Sequence, residues 1–194
     1  MALSETTENA DRAAEAPTPE RLAGAVEAAL LCMDKAVSAA RLAQAINLDD
    51  DGAGAVEEAV ERLNDQYDRT GRSFRIERVA GGFRIMTLPE HADVIAALRG
   101  SPGDGRLSRA AVETLAIVAY RQPVTRAEVE AIRGVSSGET LRSLMEKRLV
   151  DISGRAEEPG RPILYGTTRH FLESFGLASL RDLPKPEEIA ADDE

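Results

Sequence analysis

Gly138-Glu139-Thr140-Leu141-Arg142-Ser143-Leu144-Met145-Glu146-Lys147-Arg148-Leu149-Val150-Asp151-Ile152 is the stretch on which the fold turns. Leu141, Leu144 and Met145 recur at helical spacing and give one buried side, and Val150 and Ile152 then read as a strand. Residues 154–162 form a loop bearing Gly and Pro, and Ile163 to Thr167 read as the returning strand. Upstream, Ser136 and Glu139 have the spacing of a capping box, and Thr125 and Glu128 repeat it for a shorter helix. Before that, Ser108 precedes a helix that places Val112, Leu115, Ala116 and Ala119 on one face. A short terminal helix holds Phe171, Leu172 and Phe175. Three helices followed by a hairpin is the order of a winged helix, a helix-turn-helix variant in which the hairpin covers the helices.

The preceding segment has the same order. Thr18 and Pro19 supply an N-cap and a first-turn proline, and Leu22, Val26, Leu30 and Met33 line the helix that comes next. Ser38 caps a short helix through Ile46, and Val56, Val60, Leu63 and Tyr67 share a face of a longer third one. Phe74 and Ile76 alternate with charged residues, Gly81-Gly82 offers a tight turn, and Phe83 and Ile85 alternate again. Pro89 starts a closing helix. The fold class is mainly α with small β-hairpins (α+β), as two tandem winged-helix domains.

Length and charge fit this division. The 194 residues suit two small domains, and with 43% hydrophobic residues, 4% aromatics and no Trp their cores must be packed by aliphatic side chains. Gly100-Ser101-Pro102-Gly103-Asp104-Gly105 concentrates turn formers and marks the boundary. The expected organisation is an acidic disordered tail at 1–17, a first winged helix at 18–99, a linker at 100–106, a second winged helix at 107–183 and an acidic disordered tail at 184–194. The formal charge is −10, but residues 1–20 hold five acids against one base and residues 182–194 six against one, so the folded body is close to neutral.

No catalytic or cofactor constellation is visible. His91 and His170 are the only histidines and Cys32 the only cysteine, too few for a zinc site of Cys and His ligands. Cys32 sits in the run Ala28-Ala29-Leu30-Leu31-Cys32-Met33, as a small buried side chain would, in a reducing compartment. Gly52-Ala53-Gly54 and Gly103-Asp104-Gly105-Arg106 lack the remaining residues of nucleotide-binding loops. The acidic start Met1-Ala2-Leu3-Ser4-Glu5 is unlike a signal peptide and no apolar run approaches the roughly 20 residues of a membrane span, so a cytoplasmic setting is expected.

The alternative is a winged-helix DNA-binding transcription regulator, since the third helix of such domains often enters the major groove. In the second domain that helix offers Arg142, Lys147 and Arg148 but also Glu139 and Glu146, and residues 106–175 hold eleven bases against nine acids. In the first domain the third helix carries Glu57, Glu58, Glu61, Asp65 and Asp68 against Arg62 and Arg69. A phosphate backbone calls for a denser basic face than either helix has.

Three motifs go further. Leu115-Ala116-Ile117-Val118-Ala119-Tyr120-Arg121-Gln122-Pro123-Val124-Thr125-Arg126, Arg133-Gly134-Val135-Ser136, and Gly160-Arg161-Pro162-Ile163-Leu164-Tyr165-Gly166-Thr167-Thr168 occur in this order. Phe171 to Leu177 and Leu180 to Pro184 continue the pattern. Together they resemble the bacterial segregation and condensation protein B family, which Gly81-Gly82-Phe83-Arg84-Ile85 matches more loosely. The resemblance implies a non-catalytic subunit that binds a kleisin (segregation and condensation protein A) and through it the SMC ATPase, acting in chromosome condensation and partition. It further implies a nucleoid-associated homodimer with no cofactor, dimerising largely through the first domain and meeting the kleisin largely through the second.

The residues can be read beside it. Pro123 stops a helix, and Gly134 supplies a positive backbone angle. Tyr120 belongs to the core with its hydroxyl at the surface. The candidates for partner contact are Arg121, Arg142, Arg161 and Tyr165. For the last two, two readings stay open. Arg161 and Tyr165 are types enriched in interfaces, but Tyr165 could equally fill the core while Arg161 caps a carbonyl.

Overall fold

The computed structural model describes residues 17–49, 52–99 and 106–185. The bulk of both expected tails, and residues 100–105 of the expected linker at 100–106, lie outside the described residues. The contacts group the chain into two compact units, the main division falling after Leu88, and each has its own apolar core.

In the first unit, α1 (Pro19–Leu31), α2 (Ala39–Ala45) and α3 (Gly52–Arg69) precede the antiparallel hairpin of β1 (Phe74–Val79) and β2 (Gly82–Thr87). The Thr18 and Ser38 hydroxyls cap α1 and α2 by accepting from the Arg21 and Arg41 amides. Leu22, Val26 and Leu30 of α1 meet Val56, Val60, Leu63 and Tyr67 of α3, all buried. Asn64 ties α3 to the hairpin: its amide donates to the Ile76 carbonyl at 2.9 Å and its oxygen accepts the Ile76 N–H at 2.8 Å. A bridge between Val37 and Phe83 adds a third short strand position.

Three expectations for the residues up to Arg99 are corrected. Cys32 is exposed, and Met33 is 42% exposed. Leu22, Val26 and Leu30 point inward, and each further residue rotates by about 100°, so the apolar residues after Leu30 turn to solvent as α1 ends. The hairpin turn uses Ala80 and Gly81, with φ of 49° and 72°, rather than Gly81-Gly82. Gly82 instead opens β2, where a Cβ would lie 2.7 Å from the Val37 carbonyl carbon, so strand approach rather than turn geometry requires glycine there. Pro89 starts a 3-10 turn, Pro89–His91, and the helix proper, α4 (Ala92–Arg99), begins after it.

The second unit holds α5 (Arg109–Arg121), β3 (Val124–Thr125), α6 (Arg126–Arg133), α7 (Gly138–Glu146), β4 (Val150–Arg155), β5 (Ile163–Thr167) and α8 (Arg169–Phe175). Its strands form one antiparallel sheet in the order β3-β5-β4, with Val124 opposite Tyr165 and Val150 opposite Thr167. This is the winged-helix layout, with the third strand supplied by the turn after α5. Gln122 fixes that turn to the wing: its Oε1 accepts the Thr167 N–H at 2.7 Å and its Nε2 donates to the Ala119 carbonyl at 3.0 Å.

Thr125 and Glu128 form the capping box expected of them, and Gly134 ends α6 at φ 72°. The box expected from Ser136 and Glu139 does not form. Ser137 is the N-cap of α7 and makes no capping bond with its side chain. Glu130 replaces it: one carboxylate oxygen accepts from the Ser137 N–H at 2.9 Å, the Ser136 hydroxyl at 3.3 Å and Arg126 Nε at 3.0 Å. The buried Ser137 hydroxyl in turn accepts from Arg133 Nη1 at 3.0 Å. A carboxylate from the preceding helix thus does the work of a local cap.

These bonds favour the ionised carboxylates. The backbone bond from Ser137 holds Glu130 below the ordinary glutamate value of 4.5, and the bonds from Thr125 do the same for Glu128. A depressed folded-state value contributes stability above the unfolded pKa and loses it as pH falls through the folded one. The melting temperature of the second unit, followed by circular dichroism, should therefore drop progressively from about pH 4.5 downward. Glu130→Gln should already melt lower at pH 7 and show a shallower acid dependence. An unchanged profile would mean that the inter-helix clamp contributes nothing.

Candidate partner-binding surface

α5 is where the second unit becomes more than a core. Ser108 caps it by accepting from the Ala111 N–H at 3.2 Å, and the turn at Gln122-Pro123 ends it. Its buried stripe is Ala111, Thr114, Leu115, Val118 and Ala119, against Val129 of α6 and Leu141 and Leu144 of α7. The buried Thr114 hydroxyl is satisfied by donating to the Ala110 carbonyl at 2.8 Å.

That stripe leaves a second one outside. Val112 is 51% exposed and Tyr120 40% exposed, with Ala116 exposed between them. This corrects the placement of Tyr120 in the core, and of the residues read on one face Leu115 and Ala119 are buried while Val112 and Ala116 are exposed. With Leu107, Phe171, Phe175 and Leu183 they line an open apolar groove of about 640 Å³, with Arg106 and Pro184 at its edge. The Tyr120 hydroxyl donates to the Pro184 carbonyl at 2.6 Å, which holds the end of the described chain at the groove. The sequence signal was present as an excess: α5 has more apolar residues than one helix face can bury.

A second pocket of about 370 Å³ shares Leu107 and Phe175 with the groove. Its remaining lining is Lys147, Leu149, His170 and Ser174, so among the described residues no carboxylate lines either cavity. His170 is exposed in the first turn of α8. Its ring lies 3.5 Å from the Ser174 hydroxyl and 4.0 Å from Glu173, which also pairs with Arg169 at 3.3 Å.

The four candidates read from sequence sit elsewhere. Arg121 is the exposed last residue of α5. Arg142 is exposed on α7 and pairs with Glu146 at 3.3 Å. Arg161, in the wing loop, has a φ of 43°, donates its N–H to the Glu158 carbonyl and accepts at its own carbonyl from Arg155 Nη1. Tyr165 is half-buried on β5 and packs against the core. No hydrogen bond or ion pair joins any two of them, and none lines the groove. The sequence located the wing but missed the groove.

Among the described residues no group of three or more His, Cys, Asp or Glu is placed to hold a metal, and no helix is long and apolar enough to cross a membrane. In the first unit Tyr67 is strongly displaced, raised well above the usual phenol by burial and by its bond to Glu27 at 2.8 Å. That bond joins α3 to α1 and is structural.

Two successive winged helices, the second with an open apolar groove bounded by α5 and α8, define a tandem winged-helix protein. Residues 24–186 match the family described as segregation and condensation complex subunit ScpB. The segregation and condensation protein B of Geobacillus thermodenitrificans is 46% identical over 87% of this chain and 80% of its own, and that of Syntrophotalea carbinolica is 46% identical over 84% and 81%. A crystal structure of ScpB from Mycobacterium tuberculosis is 32% identical, with coverage of 84% of this chain and 99% of that one and a TM-score of 0.41. The chain belongs to the ScpB family of segregation and condensation complex subunits.

The two stripes of α5 make a sharp contrast. Leu115→Ala should cost about 3 kcal/mol, as deletion of a buried leucine does. Val112→Ser, one turn away, should stay within about 0.5 kcal/mol because its site faces water. Urea unfolding of the two variants checks this, and equal losses would place Val112 in the core after all.

Proposed function

We propose that this chain is a non-enzymatic adaptor subunit of the bacterial SMC–kleisin complex. It binds the kleisin, and through it the SMC ATPase, and acts in chromosome condensation and partition during cell division. The observation that carries this is the family match over residues 24–186, which spans both winged helices. A subunit of a condensation complex with this fold has its work in holding partners together. The same reading makes the chain a homodimer through its first winged helix, with the kleisin contacted by the second, in the cytoplasm at the nucleoid.

The charge on the helices supports a protein partner over direct DNA readout. Arg142, the central cation of α7, is engaged with Glu146 on its own helix. In the first unit, α3 presents Glu57, Glu58, Glu61, Asp65 and Asp68. Phosphate contact needs cations that are free of such neighbours.

Calorimetry with the middle region of the cognate kleisin should give a dissociation constant of about 1 μM or tighter, near −8 kcal/mol. Arg121→Ala, Arg142→Ala and Arg161→Ala on the exposed surface should leave the melting temperature almost unchanged, so a tenfold loss of affinity in any of them reports a direct contact. Absence of binding by the wild-type chain at micromolar concentration would end the proposal. Light scattering of the full chain should give twice the monomer mass.

A further inference from the structure

The groove of the second unit is apolar, open and already touched by Pro184, near the last of the described residues. Pro184 forms part of its wall and is pinned by the Tyr120 hydroxyl at 2.6 Å. The described chain stops one residue later, at Lys185. The sequence then continues Pro186-Glu187-Glu188-Ile189-Ala190-Ala191-Asp192-Asp193-Glu194. Ile189, Ala190 and Ala191 are a short apolar run, with acids on both sides.

The lining answers that pattern. Val112, Ala116, Tyr120 and Phe175 offer apolar surface, Arg106 stands at the groove and Lys147 with His170 in the adjoining pocket, and among the described residues no carboxylate lines either cavity. In a chain of formal charge −10 such a carboxylate-free stretch favours an acidic occupant. Reach is sufficient. From Tyr120 back to Val112 the helix rises about 12 Å at 1.5 Å per residue. Five extended residues from Pro184 to Ile189 span about 17 Å. Effective concentration also helps, because a short tether presents its own segment at about millimolar concentration, so an affinity too weak to matter between molecules suffices within one.

We propose that the groove formed by Val112, Ala116, Tyr120 and Phe175 is the docking site of the chain's own acidic segment, residues 186–194. Ile189 enters the apolar floor, and the flanking carboxylates face Arg106 and Lys147. The segment covers a surface that would otherwise be open to other proteins, and anything that uses this groove must displace it.

Methyl NMR of the full-length chain tests this. Ile189→Asp, and separately truncation after Lys185, should shift the Val112 and Ala116 methyl resonances, while those of Val118 and Val56, in the two cores, stay in place and report an intact fold. A synthetic peptide of residues 184–194 added to the truncated chain should move the groove resonances back toward the full-length positions, with a dissociation constant of about 1 mM. Lys147→Glu should weaken the peptide severalfold. Groove resonances indifferent to both changes would overturn the proposal. So would shifts that track protein concentration, which mark a second copy as the occupant, or shifts that arise only on adding the kleisin fragment, which give the groove to that partner. Kleisin binding measured by calorimetry on the same wild-type sample reports separately on the adaptor reading, so each idea can fail alone.

Discussion

The inward direction of α5 is the constraint on which the second winged helix depends. Val118 is completely buried, and with Leu115 and Ala111 it fixes which side of α5 faces Val129, Leu141 and Leu144. Two stripes on different sides of a helix cannot face the same neighbours, so committing Val118 to the core commits Val112, Ala116 and Tyr120 to the outside. The groove is therefore a direct consequence of how the core is satisfied. It persists because Phe171, buried, and Phe175, half in water, stack at a centroid distance of 4.8 Å and wall its far side.

Around this core the connections are held by polar groups that act at a distance in sequence. Gln122 joins the end of α5 to β5, 45 residues later, and Asn64 joins α3 to Ile76 in the first unit. Glu130 secures the start of α7 from the preceding helix. Each satisfies backbone groups that would otherwise be buried without partners, a cost of about 1–3 kcal/mol apiece. Such ties explain how a domain with few aromatic residues keeps its wing and its helix turn in register. They also make the turn acid-sensitive, since the clamp needs an ionised carboxylate.

Charge is distributed in a way that fits an assembly subunit. The acids concentrate near the two ends of the sequence, and the folded body is close to neutral. Arg142, exposed on α7, is matched by Glu146, whereas among the described residues no carboxylate lines the groove or its neighbouring pocket. Protein surfaces are discriminated by this sort of local contrast more than by net charge.

Sequence by itself determined the fold and the family. The helical periods of Val56-Val60-Leu63 and Leu141-Leu144, the caps at Thr18, Ser38, Ser108 and Thr125, and the strand alternation after each third helix were all legible, because each is set by neighbours within a few residues. The motifs from Leu115 to Thr168 were specific enough to point to the ScpB family. Only the tertiary structure decided which of two apolar stripes on α5 is core, because both have helical spacing and the choice rests on residues of α6 and α7 far along the chain. The same holds for the cap of α7, where Glu130 displaces the local pair Ser136 and Glu139, and for Gly82, whose glycine is required by the approach of Val37 across the sheet. Local rules select elements; which surface remains open depends on where distant elements pack.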